Sequence, residues 1–225
     1  MYDMKSNILV PLRTHYAHLK KLEIFKLEEK FSNFYKAPET PVLTSINHKS
    51  AVWEIALANS QTCSMRCDFG AIDDEIYVVM VDALKFYYYW LISSLYEENL
   101  RRSNHCVLIK DMPQDYKYKH AADGFANIES PVPLANLSAG YVDDRPYIGF
   151  TNGVTRTFWL LANGAKSFPV EVYYEDAAKH LYDFAGIGEP PISYQHLQER
   201  HDVITPYNLT NETLKKLKDT GVIKI

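Results

Sequence analysis

The residues best placed to do chemistry stand together in Asn152-Gly153-Val154-Thr155-Arg156. Asn-Gly tolerates positive φ and marks a turn. Residues 147–151 before it are β-compatible, and residues 154–161 after it read as a helix, so Gly153 falls where a strand turns into a helix. Backbone N–H groups of Gly153, Val154 and Thr155 can then point at an anion. Arg156, on the first helical turn, adds a fork matched to two phosphate oxygens. Asn152, Gly153, Thr155 and Arg156 are the candidate phosphate-binding residues. Taken alone, G-x-x-R is unspecific, and an ordinary turn with a solvated Arg satisfies it equally well. Hydrolysis of a phosphodiester or nucleotide also needs a base or a metal-holding carboxylate. The acids nearest in sequence are Glu129, Asp143, Asp144 and Glu171, and Glu129 and Asp143 join Arg156 as the candidate catalytic set. Removing Arg156 is expected to abolish activity and leave the domain folded.

The longer context narrows the reading. The motif is followed by an apolar helix and G-A-K-S-F-P-V-E-V, and preceded by S-P-V-P-L-A-N-L at residues 130–137. This arrangement resembles the ParB/sulfiredoxin-like superfamily, in which a strand beginning V-P-L precedes a G-x-x-R helix that leads to a P-V-x-V strand. The wording GFTNGVTRTFWLLANGAKSFPVEV, then FAGIGEPPISYQHL, resembles the plasmid fertility inhibition factors of the Osa and FiwA type. The resemblance covers roughly residues 50–200 and is sharpest over 128–197. It implies an α+β fold, a ParB/sulfiredoxin-like mixed sheet with flanking helices. It also implies nucleotide-dependent DNA cleavage, with ATP and a divalent metal ion as cofactors. The implied target is DNA or a relaxosome in transit through a type IV secretion system. Two departures bound the carry-over. Sulfiredoxin has Cys-His between its Gly and Arg, where this chain has Val154-Thr155, so sulfinic-acid reduction is not implied. Chromosome-partition ParB has Glu-Arg there and a second arginine-rich box, which this sequence lacks, so a CTP clamp is not implied either.

Composition sets the frame around the motif. A chain of 225 residues buries a real core and forms one large domain or a domain with an extension. Apolar content of 47% and charged content of 23% are those of a globular protein. Tyrosine, at 17 residues against 10 Phe and 3 Trp, points to aromatic surfaces that keep a wet edge. A net charge of −4 argues against a non-specific duplex binder, which carries a basic face. Cys63, Cys67 and Cys106 are too few and too unevenly spaced for a disulfide framework. The N-terminal MYDMKSNILVPLRTHY lacks a continuous apolar run, and residues 86–92 are too short to span a bilayer. The expectation is a cytoplasmic protein without membrane insertion.

The elements that must position the motif follow from pattern. Residues 1–45 read as an N-terminal helical extension on a domain of residues 46–225, and residues 1–40 should be separable at a linker over 36–41. The extension opens with an arm or a short strand at 8–10, closed by Pro11. A helix from Thr14 to about residue 35 follows, with Tyr16, Leu19, Leu22, Phe25 and Phe31 as its apolar stripe and Lys20 on a solvated face. Strands at 52–57, 62–68 and 75–81 form an antiparallel meander. Period-two placement puts Cys63, Met65 and Cys67 on one buried face, where core cysteines are expected and a metal is not. Asp82 caps a helix to about residue 99, with Leu84, Tyr88, Leu91 and Leu95 on one face. Residues 106–110 read as a strand and 111–125 as a loop. Within that loop, Tyr116-Lys117-Tyr118-Lys119-His120 alternates aromatic and basic side chains as a single-strand or phosphate contact would, and a solvated loop accounts for it as well. Residues 139–146 read as a turn-rich connector. After the motif come a stop at Asn163-Gly164, a strand at 168–173, a helix at 175–185, a helix capped by Ser193, and a last helix opened by Asn208 or Thr210 and stopped at Gly221.

Three functional readings stand at this point. The first is the DNA-cleaving fertility inhibition factor. The second is a non-catalytic inhibitor, whose aromatic helix or N-terminal extension grips a secretion-system coupling protein; the acidic net charge favours it. The third is a ParB-like DNA-binding module, which the absent second basic box disfavours.

Overall fold

Period-two burial builds the first sheet. In β3 (Thr62–Asp68), Cys63, Met65 and Cys67 are buried while Ser64 and Arg66 are half-buried. In β2 (Ser50–Ala56), Ala51, Trp53 and Ile55 are buried in the same rhythm. Their antiparallel register sets Ile55 against Cys63, Trp53 against Met65 and Ala51 against Cys67, so the two apolar rows share one face. β1 (Val42–Ile46) pairs with β2 on its other side, and β5 (Val132–Pro133) runs parallel to β3. The computed structural model describes residues 4–33, 35–70, 75–96, 106–127 and 129–204. The last expected helix, from Asn208 or Thr210 to Gly221, lies outside these residues.

The second sheet holds β4 (Ile76–Asp82), β6 (Ala135–Val142), β7 (Arg145–Asn152), β8 (Ser167–Tyr173) and β9 (Ile192–Ser193), in the order β7-β6-β8-β4-β9. β8 is central, parallel to β6 and antiparallel to β4. The chain is thus α+β, with two sheets where one mixed sheet was expected. The expected three-strand meander is also corrected: β4 leaves its sequence neighbours and pairs with β8. Its consecutive Val78 and Val79, with Val81, are buried on both faces, and only an interior position covers both. Residues 139–146 form the tip of the β6–β7 hairpin and not an open connector. Asp143 and Asp144 sit at φ 50° and 60°, the left-handed pair that a two-residue hairpin turn demands and Asp tolerates.

α2 (Ala83–Tyr96) starts as expected at Asp82, whose Oδ1 accepts from the N–H groups of Leu84 at 3.0 Å and Lys85 at 3.1 Å. Its buried face is Phe86, Tyr87, Trp90 and Leu91; of the expected face, Leu84, Tyr88 and Leu95 are only half-buried. The other side of α2 is covered by α1 (Met4–Ser32), which accounts for its being apolar nearly all round. α1 runs through residues 8–11, where a strand closed by Pro11 was expected. A β-compatible tripeptide does not outweigh the long helix-forming segment it joins. The side of α1 facing inward is Tyr16, Lys20, Ile24, Leu27 and Phe31, while Phe25, expected in the stripe, is 67% exposed. Lys20, expected in solvent, is buried and donates to Ser94 Oγ at 3.0 Å. The segment after α1 is tied down by Tyr35, whose hydroxyl donates to Asp82 Oδ2 at 2.6 Å. The boundary expected at residue 45 falls inside β1; the irregular stretch is 35–41.

The segment read as strand and loop is helical: a 3-10 turn at Ile109–Gln114, then α3 (Tyr118–Ala126). α4 (Val154–Ala162) and α5 (Glu175–Ala185) lie where the sequence places them, and α4 stops at Gly164, φ 72°. α6 (Tyr194–Ile204) is capped by Ser193, whose Oγ accepts from the N–H of His196 at 3.2 Å. Among the described residues no helix is long and apolar enough to cross a membrane.

Candidate functional site

β7 delivers the chain to Gly153, which takes φ 99°, and α4 begins at the next residue. The first helical bonds go from Thr157, backbone N–H and hydroxyl, to the carbonyl of Gly153. The N–H groups of Val154, Thr155 and Arg156 therefore have no acceptor within the helix, and the N-cap, Gly153, has no side chain to cap them. They open on a cleft of about 430 Å³ whose lining includes Asn152, Gly153, Thr155 and Arg156 together with Lys117 and His120. These two basic side chains come from α3 and the turn before it. Phe125 of α3 stacks on Trp159 of α4 with centroids 4.1 Å apart, and Asn163 Nδ2 donates to the Tyr118 hydroxyl at 3.2 Å. That packing lays α3 along α4, with Tyr118 at the C-terminal end of α4 and Lys117 and His120 in the cleft at its N-terminus. A positive helix end and two basic side chains on one concave surface are the features an anion site requires.

The Arg and Thr of the motif also have protein partners. Arg156 Nη1 donates to the carbonyls of Pro133 at 2.7 Å and Leu134 at 2.8 Å, which fastens α4 to the link between β5 and β6. Burial lowers its guanidinium pKa from the usual value, and the nearby Glu171 opposes that shift. Thr155 Oγ1 donates to Asp115 Oδ1 at 3.3 Å, and the same oxygen accepts from the N–H of Lys117 at 2.9 Å. Asp115 thus ties both walls of the cleft together, while its carboxylate lies outside the cleft lining.

Glu171 is the acid that the fold couples to the motif. It lies on β8 in register with Asn136 of β6, accepts from the Tyr194 hydroxyl of α6, and interacts with Asn136, Arg156 and Asp68. With Arg66, Asp68, Pro133 and Tyr194 it lines a second cleft of about 270 Å³, and Pro133 borders both clefts. Removal from water raises the Glu171 carboxyl pKa, while Tyr194, Asn136 and Arg156 pull it down. Among the described residues Asn136 Oδ1 is buried without a donor. A pKa raised in the fold stabilises below its ordinary 4.5, and that contribution is lost as pH rises through the folded value. Wild type should therefore lose stability relative to Glu171→Gln between about pH 4 and pH 8. Thermal midpoints of the pair at both pH values measure this, and a constant difference would contradict it.

Of the residues expected from sequence, Asn152, Gly153, Thr155 and Arg156 meet in one cleft. Glu129 and Asp143 do not join them. Glu129 is exposed in the turn between α3 and β5. Asp143 stands at the hairpin tip, and the length of β7, at about 3.3 Å per residue, separates that tip from Asn152 by roughly 23 Å. The alternation in 116–120 pointed to Lys117 and His120. Asp115 and Tyr194 carry no comparable signal, because each acts through a partner distant in sequence.

The comparisons with known proteins agree with this architecture. The family model described as Plasmid Fertility inhibition factor matches residues 78–186, from β4 to the end of α5. The chain belongs to the plasmid fertility inhibition factor family, as its motif wording indicated. It is 33% identical over 181 residues to Protein osa of Shigella flexneri, covering 80% of this chain and 92% of that protein. Its fold is similar to the crystal structure of Oncogenic Suppression Activity Protein, a plasmid fertility inhibition factor. There the TM-score is 0.74 at 31% identity, over 85% of this chain and 98% of that one.

Proposed function

We propose that this fertility inhibition factor acts in the cytoplasm by holding phosphate in the Gly153–Arg156 cleft and cleaving DNA there in a nucleotide-dependent reaction. The target is DNA or a relaxosome bound for a type IV secretion system. The observation that carries the reading is the meeting of the uncapped α4 N-terminus with Lys117 and His120 in one cleft. Phosphate oxygens accept from the α4 N–H groups and from Lys117, while Arg156 holds the helix end in place. Glu171 takes the base role expected of Glu129 and Asp143.

ATP and a divalent ion fit this site in one manner. Among the described residues no three ligating side chains converge, so a metal ion would come with nucleotide phosphates and one or two carboxylates. Asp115, bonded to Thr155 at the start of α4, is the carboxylate that would be offered to it. When bound, the ion would neutralise phosphate charge as a Lewis acid.

The engagement of Thr155 and Arg156 by Asp115, Pro133 and Leu134 favours the second reading, a non-catalytic inhibitor that grips a coupling protein. Incubating the purified protein with supercoiled and single-stranded DNA, with and without ATP and divalent metal, separates the two. The expected result is cleavage that needs both additions and is lost, with conjugation inhibition, in Lys117→Ala. Inhibition that persists without cleavage assigns the protein to the second reading.

A further inference from the structure

We infer that Tyr116 is a base-stacking residue at the rim of the phosphate cleft, so that the ligand held there is single-stranded nucleic acid. The inference rests on the phosphate reading of the cleft and names its substrate class.

An isolated exposed tyrosine is ordinary. Tyr116 differs in what stands next to it. It is 85% exposed, the most of any large apolar side chain among the described residues. Lys117 Nζ lies 5.3 Å from its ring centroid, and Lys117 lines the cleft with His120 and the α4 N-terminus. The ring is therefore one residue from the anion site, with its surface open to solvent. A strand whose phosphate enters the cleft carries the neighbouring base to that ring. Stacking on an aromatic side chain tolerates any base, since every base has a π-face, and the adjacent ammonium attracts the phosphate between bases. Only an unpaired base offers a free face; in a duplex both faces are occupied by neighbours. The charge balance points the same way. The cleft is basic only locally: the Asp115 carboxylate is bonded behind its two walls, to the Lys117 N–H and the Thr155 hydroxyl, and the chain carries a net charge of −4. Duplex binding draws on a broad basic face and many phosphate contacts.

The test uses the full chain and three probes: a labelled single-stranded oligonucleotide, titrated across a salt series, its duplex, and inorganic tripolyphosphate, which has no base. Tyr116→Ala should weaken the single strand by about 5- to 150-fold and leave tripolyphosphate binding and the thermal midpoint where they were. Tyr116→Phe should restore most of the affinity, because stacking needs the ring and not the hydroxyl. Lys117→Ala should weaken both the strand and tripolyphosphate and reduce the salt slope by about 0.7. Undiminished strand binding by Tyr116→Ala, equal loss of strand and tripolyphosphate, or a duplex held as tightly as the single strand overturns the proposal alone. Lys117→Ala that binds every probe like wild type overturns the cleft reading and the proposal with it.

Discussion

Arg156→Ala is expected to lower the thermal midpoint by about 6–20 °C as well as to weaken phosphate binding. The stability loss follows from what the side chain holds. Its Nη1 donates to two backbone carbonyls, of Pro133 and Leu134, at 2.7 and 2.8 Å. Charge-assisted bonds of this kind contribute roughly 1.5–3 kcal/mol each. Truncation also leaves Glu171, raised in pKa by burial, without its nearby cation. Arg156 is half-buried, and the two bonds together give a loss of about 3–5 kcal/mol. Sequence alone suggested a residue removable without cost to the fold; the two carbonyls give it a second task. Arg156→Lys keeps the charge near Glu171 but loses the planar fork, so it should recover part of the midpoint and less of the phosphate affinity. Melting curves and tripolyphosphate titrations, the latter well below the variant's midpoint, read the two effects separately. A variant that melts like wild type and fails to bind would make Arg156 a ligand contact and nothing more.

What the sequence disclosed and what it hid divide by range. The span from β7 to β8 was legible because its punctuation is local: Asn-Gly before α4 and Asn-Gly after it act through their own backbone. The cap at Asp82 and the alternation of Cys63, Met65 and Cys67 were legible for the same reason. The pairing of β4 with β8 was not, since valines buried on both faces identify an interior strand without naming its neighbours. The candidate site splits in the same way. Its proposed phosphate loop is contiguous, but the opposite wall comes from Lys117 and His120, placed by the packing of α3 on α4. Glu171 was one of four nearby acids, and only strand register distinguishes it from Asp143, which the hairpin turn carries to the far end of β7. Lys20 was read as solvated because a mixed-charge helix face looks alike whether or not another helix lies over it.

Gly153→Ala should have an effect of similar size, and for a different reason. The residue sits at φ 99°, where an L side chain is strained by about 1–2 kcal/mol. An added Cβ would also lie 2.7 Å from both the Cα and the Cβ of Ala135. Ala135 cannot withdraw: it is 1% exposed and is held in β6 opposite Val170 of the central β8. Overpacking against a fixed backbone adds about 1–3 kcal/mol. The sum, about 2–5 kcal/mol, corresponds to a midpoint drop of roughly 4–20 °C. Relief by displacement would move the start of α4 away from β6, and with it the N–H groups that open on Lys117 and His120. Tripolyphosphate affinity should then fall by more than about tenfold, the value of one lost charge-assisted bond. If Gly153 serves only as a flexible turn, the cost is about 1 kcal/mol and the affinity holds. The double variant Gly153→Ala with Ala135→Gly separates methyl from backbone. It removes the Cβ–Cβ clash but not the equal approach to Ala135 Cα, so only part of the midpoint should return and the affinity should stay low. Complete recovery of both would place the conflict in the Ala135 methyl group and leave the close backbone crossing without a role in shaping the cleft.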